Sequence, residues 1–485
     1  MSQTQFLILI IAAIPLLNCL IFKFYQNDFI EKFSSLLSLG TLISLNIKMG
    51  GNPVYLSLLK VFPDISLGFF IDKIAVGFLF LLNFLWIILT FYLQRFLQLN
   101  PVKKEHDLRI FFTLIIAFST LAILSKNLLT LLLFYNFLLL VCYFFVPNFL
   151  RKEEAKFPHL FTFLLYLESA FFFLAIVATY KFSGSIEFSG NEIIAQNFDP
   201  TKYRLLFLLF CAGLFLSLLA PFYLLYRNII TLEPLFTYLF FFLAYALSSI
   251  LIFIRIIAAI FGSKTFAIIL GDAGFAFFEI LFLLNMLLAS ALLVMSKGIK
   301  SSFFYLFFQQ FIFTLFAIFL FEKFAPARVY LTLFSFPLSF TLCFLALSNL
   351  VLYLTRAQNK QLDGLFYRLI ITCSLLVFSL ANMAGIAPAI GLSEKFFLIK
   401  IILEKKLSLS MAIICVNFLG IFLFTFKIFR PLLIRKVENF SEDDLRIAKN
   451  IDFDSNLILT GLVIGVFMFL GFILYPLINN FFNLL

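Results

Sequence analysis

The residues of this chain that are most able to do chemistry are a few charged side chains inside apolar stretches. Lys395 and Glu394 are adjacent and follow Pro388, whereas Glu168 and Glu279 each lie in the middle of a long apolar run. A charge near the centre of a lipid bilayer costs at least about 2.5 to 3.5 kcal/mol, so such a group usually faces the protein interior and handles a proton, an ion or a partner charge. These side chains are therefore candidates for a proton pathway.

Lys395 heads the candidates because the nearby Pro388 should interrupt a helix and leave backbone groups that can hold water. The alternative is that its side chain extends to the membrane surface. Glu394 projects about 100° away from Lys395 around a helix, so it pairs either with Lys395 or with a neighbouring subunit.

Each of three further proton-pathway candidates has two possible interpretations. Glu279 is expected to pair with an arginine such as Arg255 rather than to serve a proton route. For Glu168 a proton route and a structural ion pair remain equally open. His159 follows Pro158 at a predicted helix start, where a lone histidine is more often a surface or capping residue than a proton relay.

The composition indicates which elements must hold these residues. Of the 485 residues, 63% are hydrophobic and 13% are charged, against roughly half and a quarter in soluble domains. Apolar runs of about 20 residues recur along the chain, and lipid offers backbone groups no hydrogen-bond partner, so helices are expected. We predict an all-α polytopic membrane protein with about 14 transmembrane helices. By hydropathy these lie at residues 5–23, 32–47, 69–95, 110–125, 127–147, 158–180, 203–226, 235–260, 274–296, 301–321, 328–355, 366–400 (broken), 408–428 and 456–479.

Two prolines inside apolar runs, Pro221 and Pro388, each follow an alanine. A proline breaks a helix, and paired broken helices are typical of inverted repeats in transporters. The alternative is an ordinary proline kink, which is common in membrane helices. The first interpretation predicts an antiporter-like inverted repeat with helices broken near both prolines.

The whole chain is predicted to form a single transmembrane domain over residues 1–485. Its predicted parts are N-terminal helices (1–109), a first repeat (110–260), a second repeat (274–430), and a surface connector with the last helix (431–485).

The chain is basic, with 36 Lys and Arg against 25 Asp and Glu and a net charge of +11. These charges lie in short loops beside apolar runs, where membrane topology and anionic lipid head groups explain them better than nucleic acid does. The loops carry both signs of charge, so the orientation in the membrane stays open.

The six cysteines are scattered singly and form no Cys-x-x-Cys pair. This spacing predicts no disulfide framework, no iron–sulfur cluster and no zinc or other metal site, and we predict no catalytic residue in the chain.

The first residues enter an apolar run almost directly, without an Arg-rich leader or a signal-peptide pattern. The protein is therefore expected to be either bacterial or made inside the organelle that uses it. The 75 Phe against one Trp favour an AT-rich genome and hence the mitochondrion. The alternative is that Phe merely fills lipid-facing surface.

One motif gives a family resemblance. The segment 384–397 reads AGIAPAIGLSEKFF, with Gly385, Pro388, Gly391 and Lys395 in fixed register. It resembles the twelfth helix of the antiporter-like subunits of proton-pumping NADH:ubiquinone oxidoreductase, respiratory complex I, and most of all the subunit 2 family. Two further matches, an Asn and a basic residue of that family's next helix, fall at Asn417 and Lys427.

A second stretch resembles the seventh and eighth helices of that family, but it lacks most of their charged residues. The features that match are Pro221, Phe222, Pro234 and Arg255. The positions that depart are Leu216 and Ala246, where the family has lysines, Tyr223, where it has a histidine, and Asn228, where it has an aspartate.

Other matches extend the resemblance to about residues 127–431. Segment 299–310 is similar to a family motif. Tyr305 matches the tyrosine of that motif, and Gln310 stands where the motif has a histidine. Asn136 stands where the family has a glutamate, while Tyr180 begins a matching Tyr-x-x-x-Gly-Ser sequence, and His159 lies within one residue of a family lysine.

The resemblance implies a function. Complex I passes electrons from NADH through flavin and iron–sulfur clusters in other subunits to quinone and couples this to proton translocation. The present chain would belong to that enzyme without carrying a redox centre or any other cofactor. Lys395 would be an intermediate proton site, and the losses at Asn136, Leu216 and Ala246 would leave a degenerate first half-channel. The proton-pathway candidates are Lys395, Glu394, Glu168, His159, Glu279, Arg255, Tyr305 and Gln310.

The resemblance also implies a setting. The expected location is the mitochondrial inner membrane as an organelle-encoded, multi-pass protein, and the expected partners are other membrane-arm subunits of complex I and phospholipids including cardiolipin. Three alternatives remain. The first is the sibling subunit 4, which would have a glutamate at the twelfth-helix position of Lys395; Glu394 is one residue away from that position. The others are a free-standing cation/proton antiporter and a non-transporting structural subunit.

Overall fold

The helices of the chain are long and follow its apolar runs. The computed structural model describes residues 2–25, 27–62, 65–101, 105–149, 156–188, 200–226, 239, 241–357, 364–433 and 442–473. In this part of the chain, eleven helical stretches are long and apolar enough to cross a membrane. The predicted fold class, an all-α polytopic membrane protein, is therefore confirmed. The predictions made on Asn228, Pro234 and the side chain of His159 lie outside the described residues.

The chain divides into two compact units. The first comprises Met1–Thr90 and Pro101–Gly271, and the second comprises Phe91–Asn100 and Asp272–Leu485. The main division at Gly271 falls between the two repeats expected from the sequence, whose boundaries stay a prediction.

The first unit contains long helices and a β-hairpin. Its elements are α1 (Gln3–Tyr25), α2 (Asp28–Met49), β1 (Val54–Phe62), β2 (Ile65–Ile71), α3 (Lys73–Leu99, whose last turns belong to the second unit), α4 (Glu105–Ile123), α5 (Leu128–Phe149), α6 (Lys156–Ser183), α7 (Pro200–Phe215) and α8 (Ser248–Ile256). Residues that favour helix ends stand at both ends of α2. The Asn27 side chain accepts a hydrogen bond from the Phe29 amide at the start of α2, and Gly50, with φ of 53°, follows its end.

The β-hairpin was not expected from the sequence. Its strands pair antiparallel from Val54 opposite Ile71 to Phe62 opposite Ile65. Residues 69–71, which hydropathy assigned to the start of a span, belong to β2, and the span itself forms α3. A short apolar strand cannot be told from the end of a buried helix by hydropathy alone, which explains the difference.

The second unit is built around two buried helices. Its elements, beginning with the helix that crosses the division, are α9 (Gly262–Met295), α10 (Ile299–Phe324), α11 (Val329–Arg356), α12 (Ile370–Ala384), α13 (Ile390–Lys405), α14 (Ser408–Leu433), α15 (Glu442–Asp452) and α16 (Ser455–Ile473). Nearly every side chain of α10 and α11 is buried. α10 packs against α11 and α14, and α11 also packs against α12, α13 and α16, so the core of this unit lies around these two helices.

Helices are broken at both prolines, as predicted. α7 ends at Phe215, and a 3-10 turn over Leu216–Leu218 leads to a cis peptide bond between Ala220 and Pro221. α12 ends at Gly385, whose φ is 71°, and a cis peptide bond between Ala387 and Pro388 precedes α13. The two breaks therefore have a similar local form.

Four further predicted spans differ from the structure in detail. The span expected at 366–400 forms α12 and α13, which are both too short to count among the eleven stretches. The spans expected at 235–260 and 274–296 lie in one apolar helical stretch, Phe242–Met295, interrupted by positive φ angles at Gly262 (66°) and Gly271 (54°). The span expected at 32–47 forms α2, which is not among the eleven apolar stretches. Its charged residues explain this; they are Asp28, Glu31, Lys32 and Lys48.

Candidate proton-pathway site

Lys395 and Glu394 form a buried ion pair directly after the helix break. The Lys395 Nζ atom lies 3.1 Å from Glu394 Oε2, and the two residues are only 4% and 2% exposed. Both belong to the second turn of α13, which begins at Ile390. Long side chains bridge the 100° between adjacent helix positions, so of the two pairings left open by the sequence, the structure contains the one between Lys395 and Glu394.

The loop before α13 is shaped to fit the lysine. At Gly385 the backbone approaches Lys395 so closely that an added Cβ would lie 2.5 Å from Lys395 Cγ, and the positive φ of Gly385 also favours glycine. Gly391 donates its amide to the Asn382 Oδ1 atom at 2.7 Å. A side chain at Gly391 would clash with the Asn382 carbonyl oxygen. The glycines of the motif thus hold the two helix ends together under Lys395.

A small cavity adjoins the ion pair. Its volume is about 10 Å³, and it is lined by Gln310, Phe313, Thr314, Ser335, Phe336, Ser339, Met383, Glu394 and Lys395. A cavity of this size is just large enough for one water. Its lining is largely apolar, with polar atoms supplied by Gln310, Thr314, Ser335, Ser339 and the ion pair. Lys395 Nζ also lies 4.2 Å from the centre of the Phe313 ring. The ionisable groups at this site that can carry a proton are the lysine and the carboxylate.

Polar side chains continue from this cavity towards α14. Gln310 Nε2 donates to Asn417 Oδ1 at 2.8 Å, and Gln309 Nε2 donates to the Val416 carbonyl at 3.0 Å. Further along α14, Lys427 Nζ lies 2.9 Å from both the Leu293 carbonyl and the Ser296 hydroxyl. The structure thus brings Lys395, Glu394 and Gln310 together and connects them to Asn417. Tyr305 is buried on the same helix as Gln310 but does not line the cavity.

The predicted pairing of Glu279 with Arg255 is wrong. Glu279 accepts a very short hydrogen bond from the Ser410 hydroxyl in the second unit. Arg255 donates to the backbone carbonyls of Phe70 and Ser125 at 3.1 and 3.2 Å, and its Nη1 lies 3.8 Å from Asp72. Arg255 therefore connects the end of α8 to the β-hairpin, a structural role that its sequence context did not indicate.

Glu168 contacts the broken helix of the first unit. Its side chain is fully buried, and its Oε1 atom accepts a hydrogen bond from the Ser217 backbone amide at 2.8 Å. Ser217 lies in the 3-10 turn between the end of α7 and Pro221. An ionisable side chain therefore lies at the break in each unit: Glu168 at the first and Lys395 at the second.

Three first-unit positions at which the resembled family has a charged residue hold neutral residues here. Asn136 Oδ1 accepts a hydrogen bond from the Ser169 hydroxyl at 2.7 Å. Ala246 is fully buried in the π-helical turn Phe241–Leu247, and Leu216 begins the 3-10 turn at the break.

Two buried polar residues, Asn382 and Glu322, were not predicted from the sequence. Asn382 links α12 to α13 through Gly391, and its only signal was a polar residue just before the Gly-x-x-Pro break. Glu322 is 7% exposed near the end of α10. Its position beside Lys323, at a predicted helix end, gave it the appearance of a surface residue. No group of three His, Cys, Asp or Glu within the described ranges could hold a metal ion.

The chain is similar to known proteins in structure but matches none of them by sequence. No protein family model matches the chain, and no curated protein matches it. A chain of the Mrp complex from Dietzia sp. DQ12-45-1b superposes with a TM-score of 0.79 at 15% identity, covering 99% of this chain and 96% of that one. A chain of the membrane-bound sulfane sulfur reductase, an archaeal respiratory membrane complex, gives 0.77 at 14% identity, covering 98% and 96%.

A chain of respiratory complex I from Thermus thermophilus gives a TM-score of 0.68 at 15% identity, covering 97% of this chain and 98% of that one. At these identities the similarity shows the fold alone. The present chain therefore shares a fold, over almost its whole length, with chains of three multisubunit complexes. The fold that the resemblance implied is therefore confirmed.

Proposed function

We propose that this chain is a proton-translocating membrane-arm subunit of a respiratory complex of the complex I type. The observation that carries the proposal is the buried Lys395–Glu394 pair beside a helix break and a water-sized cavity. It occurs in a fold that is also found in respiratory complex I.

The geometry of the pair suggests how a proton moves. An ion pair and a neutral pair differ only by the position of one proton along the 3.1 Å hydrogen bond between Lys395 and Glu394. Two charges removed from water are costly unless well paired, so an approaching charge changes the balance between the two forms. The cavity and the Gln310–Asn417 hydrogen bond give the proton a polar neighbourhood on this side.

In the first unit Glu168 would take the place of the missing lysine at Leu216. Its contact with the Ser217 amide places it at the helix break, where α7 gives way to a 3-10 turn. Its other oxygen, Oε2, is buried and has no hydrogen-bond partner among the described residues. A carboxyl group in this place can bind and release a proton where Leu216 and Ala246 cannot.

The finer assignment follows the sequence resemblance. We propose subunit 2 rather than subunit 4, because the lysine falls on the motif position and the glutamate one residue before it. The proposal includes the mitochondrial inner membrane as location, other membrane-arm subunits as partners, and flavin, iron–sulfur clusters and quinone bound by those partners alone.

A second candidate function is a subunit of a cation/proton antiporter complex without NADH chemistry. The observation that favours it is the TM-score of 0.79 to a chain of the Mrp complex, against 0.68 for complex I. The same ion pair could then exchange protons against another cation.

The two candidates separate in one experiment. Membranes that contain the chain are solubilised, resolved on a native gel and stained for NADH dehydrogenase activity, and the chain is located in the same lanes with an antibody. The proposal expects the chain in a large band that reduces the dye with NADH. Its presence only in a large band without NADH activity would favour the antiporter complex, and migration as a small monomer or homodimer would refute both assignments.

A further inference from the structure

A large pocket lies where three apolar helices end. α3 ends at Leu99, α11 ends at Arg356 and α16 begins at Ser455, and all three residues line the same cavity of about 760 Å³. Since each of these helices is apolar and long enough to cross a membrane, their shared end marks one membrane surface. The short helix α15 also lines this pocket, through Ile447, Lys449, Asn450 and Ile451.

The charges in this pocket do not balance. Arg95 and Asp454 form an ion pair at 2.7 Å, and Asp454 also caps α16 by accepting from the Asn456 and Leu457 amides. Arg356 and Lys449 are exposed, and within the described ranges they make neither an ion pair nor a side-chain hydrogen bond. Among the residues that the structure describes, the pocket therefore presents two positive charges that no ion pair balances.

Apolar surface borders these charges. Phe453 is 68% exposed and lines the pocket together with Leu99, which is partly buried. Leu445, on α15, is 48% exposed. Water does not stabilise such side chains, but the boundary between head groups and acyl chains does.

We propose that this pocket binds the phosphate of an anionic phospholipid head group between Arg356 and Lys449. The first part of the acyl chains would lie along Leu99 and Phe453. Arginine and lysine at a membrane surface attract anionic lipids, and a cavity of several hundred cubic ångströms matches the size of ordinary ligand sites. This site is independent of the Lys395–Glu394 pair and of the proposed function.

The test uses the full-length protein purified in detergent micelles and native mass spectrometry. Wild type is compared with the double variant Arg356→Gln/Lys449→Gln after addition of dioleoyl phosphatidylglycerol or dioleoyl phosphatidylcholine. We expect wild type to retain phosphatidylglycerol preferentially and the double variant to bind it about ten- to thirtyfold more weakly. The charge-conserving variant Arg356→Lys/Lys449→Arg should keep the preference, which separates lost binding from lost folding.

The matched control is Lys297→Gln/Lys400→Gln, which removes two exposed positive charges elsewhere in the same unit. An equal loss of phosphatidylglycerol in the control would show that only overall charge matters, and it would overturn the site. Unchanged binding in the Arg356/Lys449 variant would overturn it too. Displacement of the bound lipid by a few millimolar inorganic phosphate would identify a site for free phosphate instead of a lipid.

Discussion

Glu168 on α6 accepts a hydrogen bond from the backbone amide of Ser217, at 2.8 Å, where α7 is broken ahead of Pro221. The first unit therefore keeps an ionisable group at its helix break although the positions expected to be charged, Asn136, Leu216 and Ala246, are neutral. For Glu168 the sequence left a proton route and a structural ion pair equally open. A proton route through Glu168 would be a bypass of the three neutral positions. The side chain is fully buried, as a bypass requires.

Replacement of Glu168 by glutamine tests this bypass. Glu168→Gln keeps an oxygen that can accept the Ser217 amide, but it can no longer bind and release a proton. We expect proton translocation per NADH to fall while thermal stability stays close to that of wild type. The measurement is the quenching of a pH-sensitive dye in vesicles during NADH oxidation, with melting curves on the same preparations.

Two further variants separate a proton-transfer role of Glu168 from a structural one. Glu168→Leu should also lower stability, by about 1 to 3 kcal/mol, because the buried Ser217 amide loses its partner. Leu216→Ala should affect packing but hardly alter translocation. Unchanged translocation in Glu168→Gln would refute the bypass and leave Glu168 as a structural acceptor.

Arg255 should act on stability alone. Arg255→Met removes the donors to the Phe70 and Ser125 carbonyls and the charge near Asp72, so we expect a free energy of unfolding lower by about 2 to 4 kcal/mol. Lys264→Met, an exposed lysine of the same unit, is the control and should change little. Melting curves measure the loss, and translocation is then compared per amount of folded protein. A fall in translocation without a change in melting would contradict the structural role.

The sequence predicted much of the fold because lipid limits the choices. Long apolar runs had to become helices, and Pro221 and Pro388 had to interrupt them, since a proline lacks the amide that continues a helix. The hairpin Val54–Ile71 was not predicted because its apolar strands are short and the second strand continues directly into the apolar run of α3.

The candidate site was harder to predict, since a sequence does not say which buried charge meets which partner. Arg255 binds two backbone carbonyls, and carbonyls leave no mark in a sequence. Lys395 and Glu394 could be recognised as unusual, yet their mutual pairing depended on rotamers and on the close approach of Gly385.

Gly391 should be needed at the second helix break. Gly391→Ala would place a Cβ against the Asn382 carbonyl and separate α12 from α13, so we expect a loss of about 1 to 3 kcal/mol in stability together with weaker translocation. Gly40→Ala is the matched control, because Gly40 lies in α2 with no atom near the added Cβ, and alanine favours a helix. Melting temperatures of the two variants decide: equal values would show that the close contact at Gly391 is unimportant.

The last prediction concerns the proton on Lys395. Lys395→Arg keeps the positive charge and can keep the pair with Glu394, but arginine does not release its proton in proteins. Lys395→Ala removes both the charge and the pair. If the pair relays protons, both variants should lower translocation per NADH, by about tenfold or more. If the pair is only structural, Lys395→Arg should behave like wild type and Lys395→Ala should lose stability. Lys400→Ala, on the exposed side of the same helix and 51% exposed at its side chain, is the control and should translocate normally. Full translocation by folded Lys395→Arg would therefore refute the relay and leave Lys395–Glu394 as an ion pair that holds α13 against Phe313.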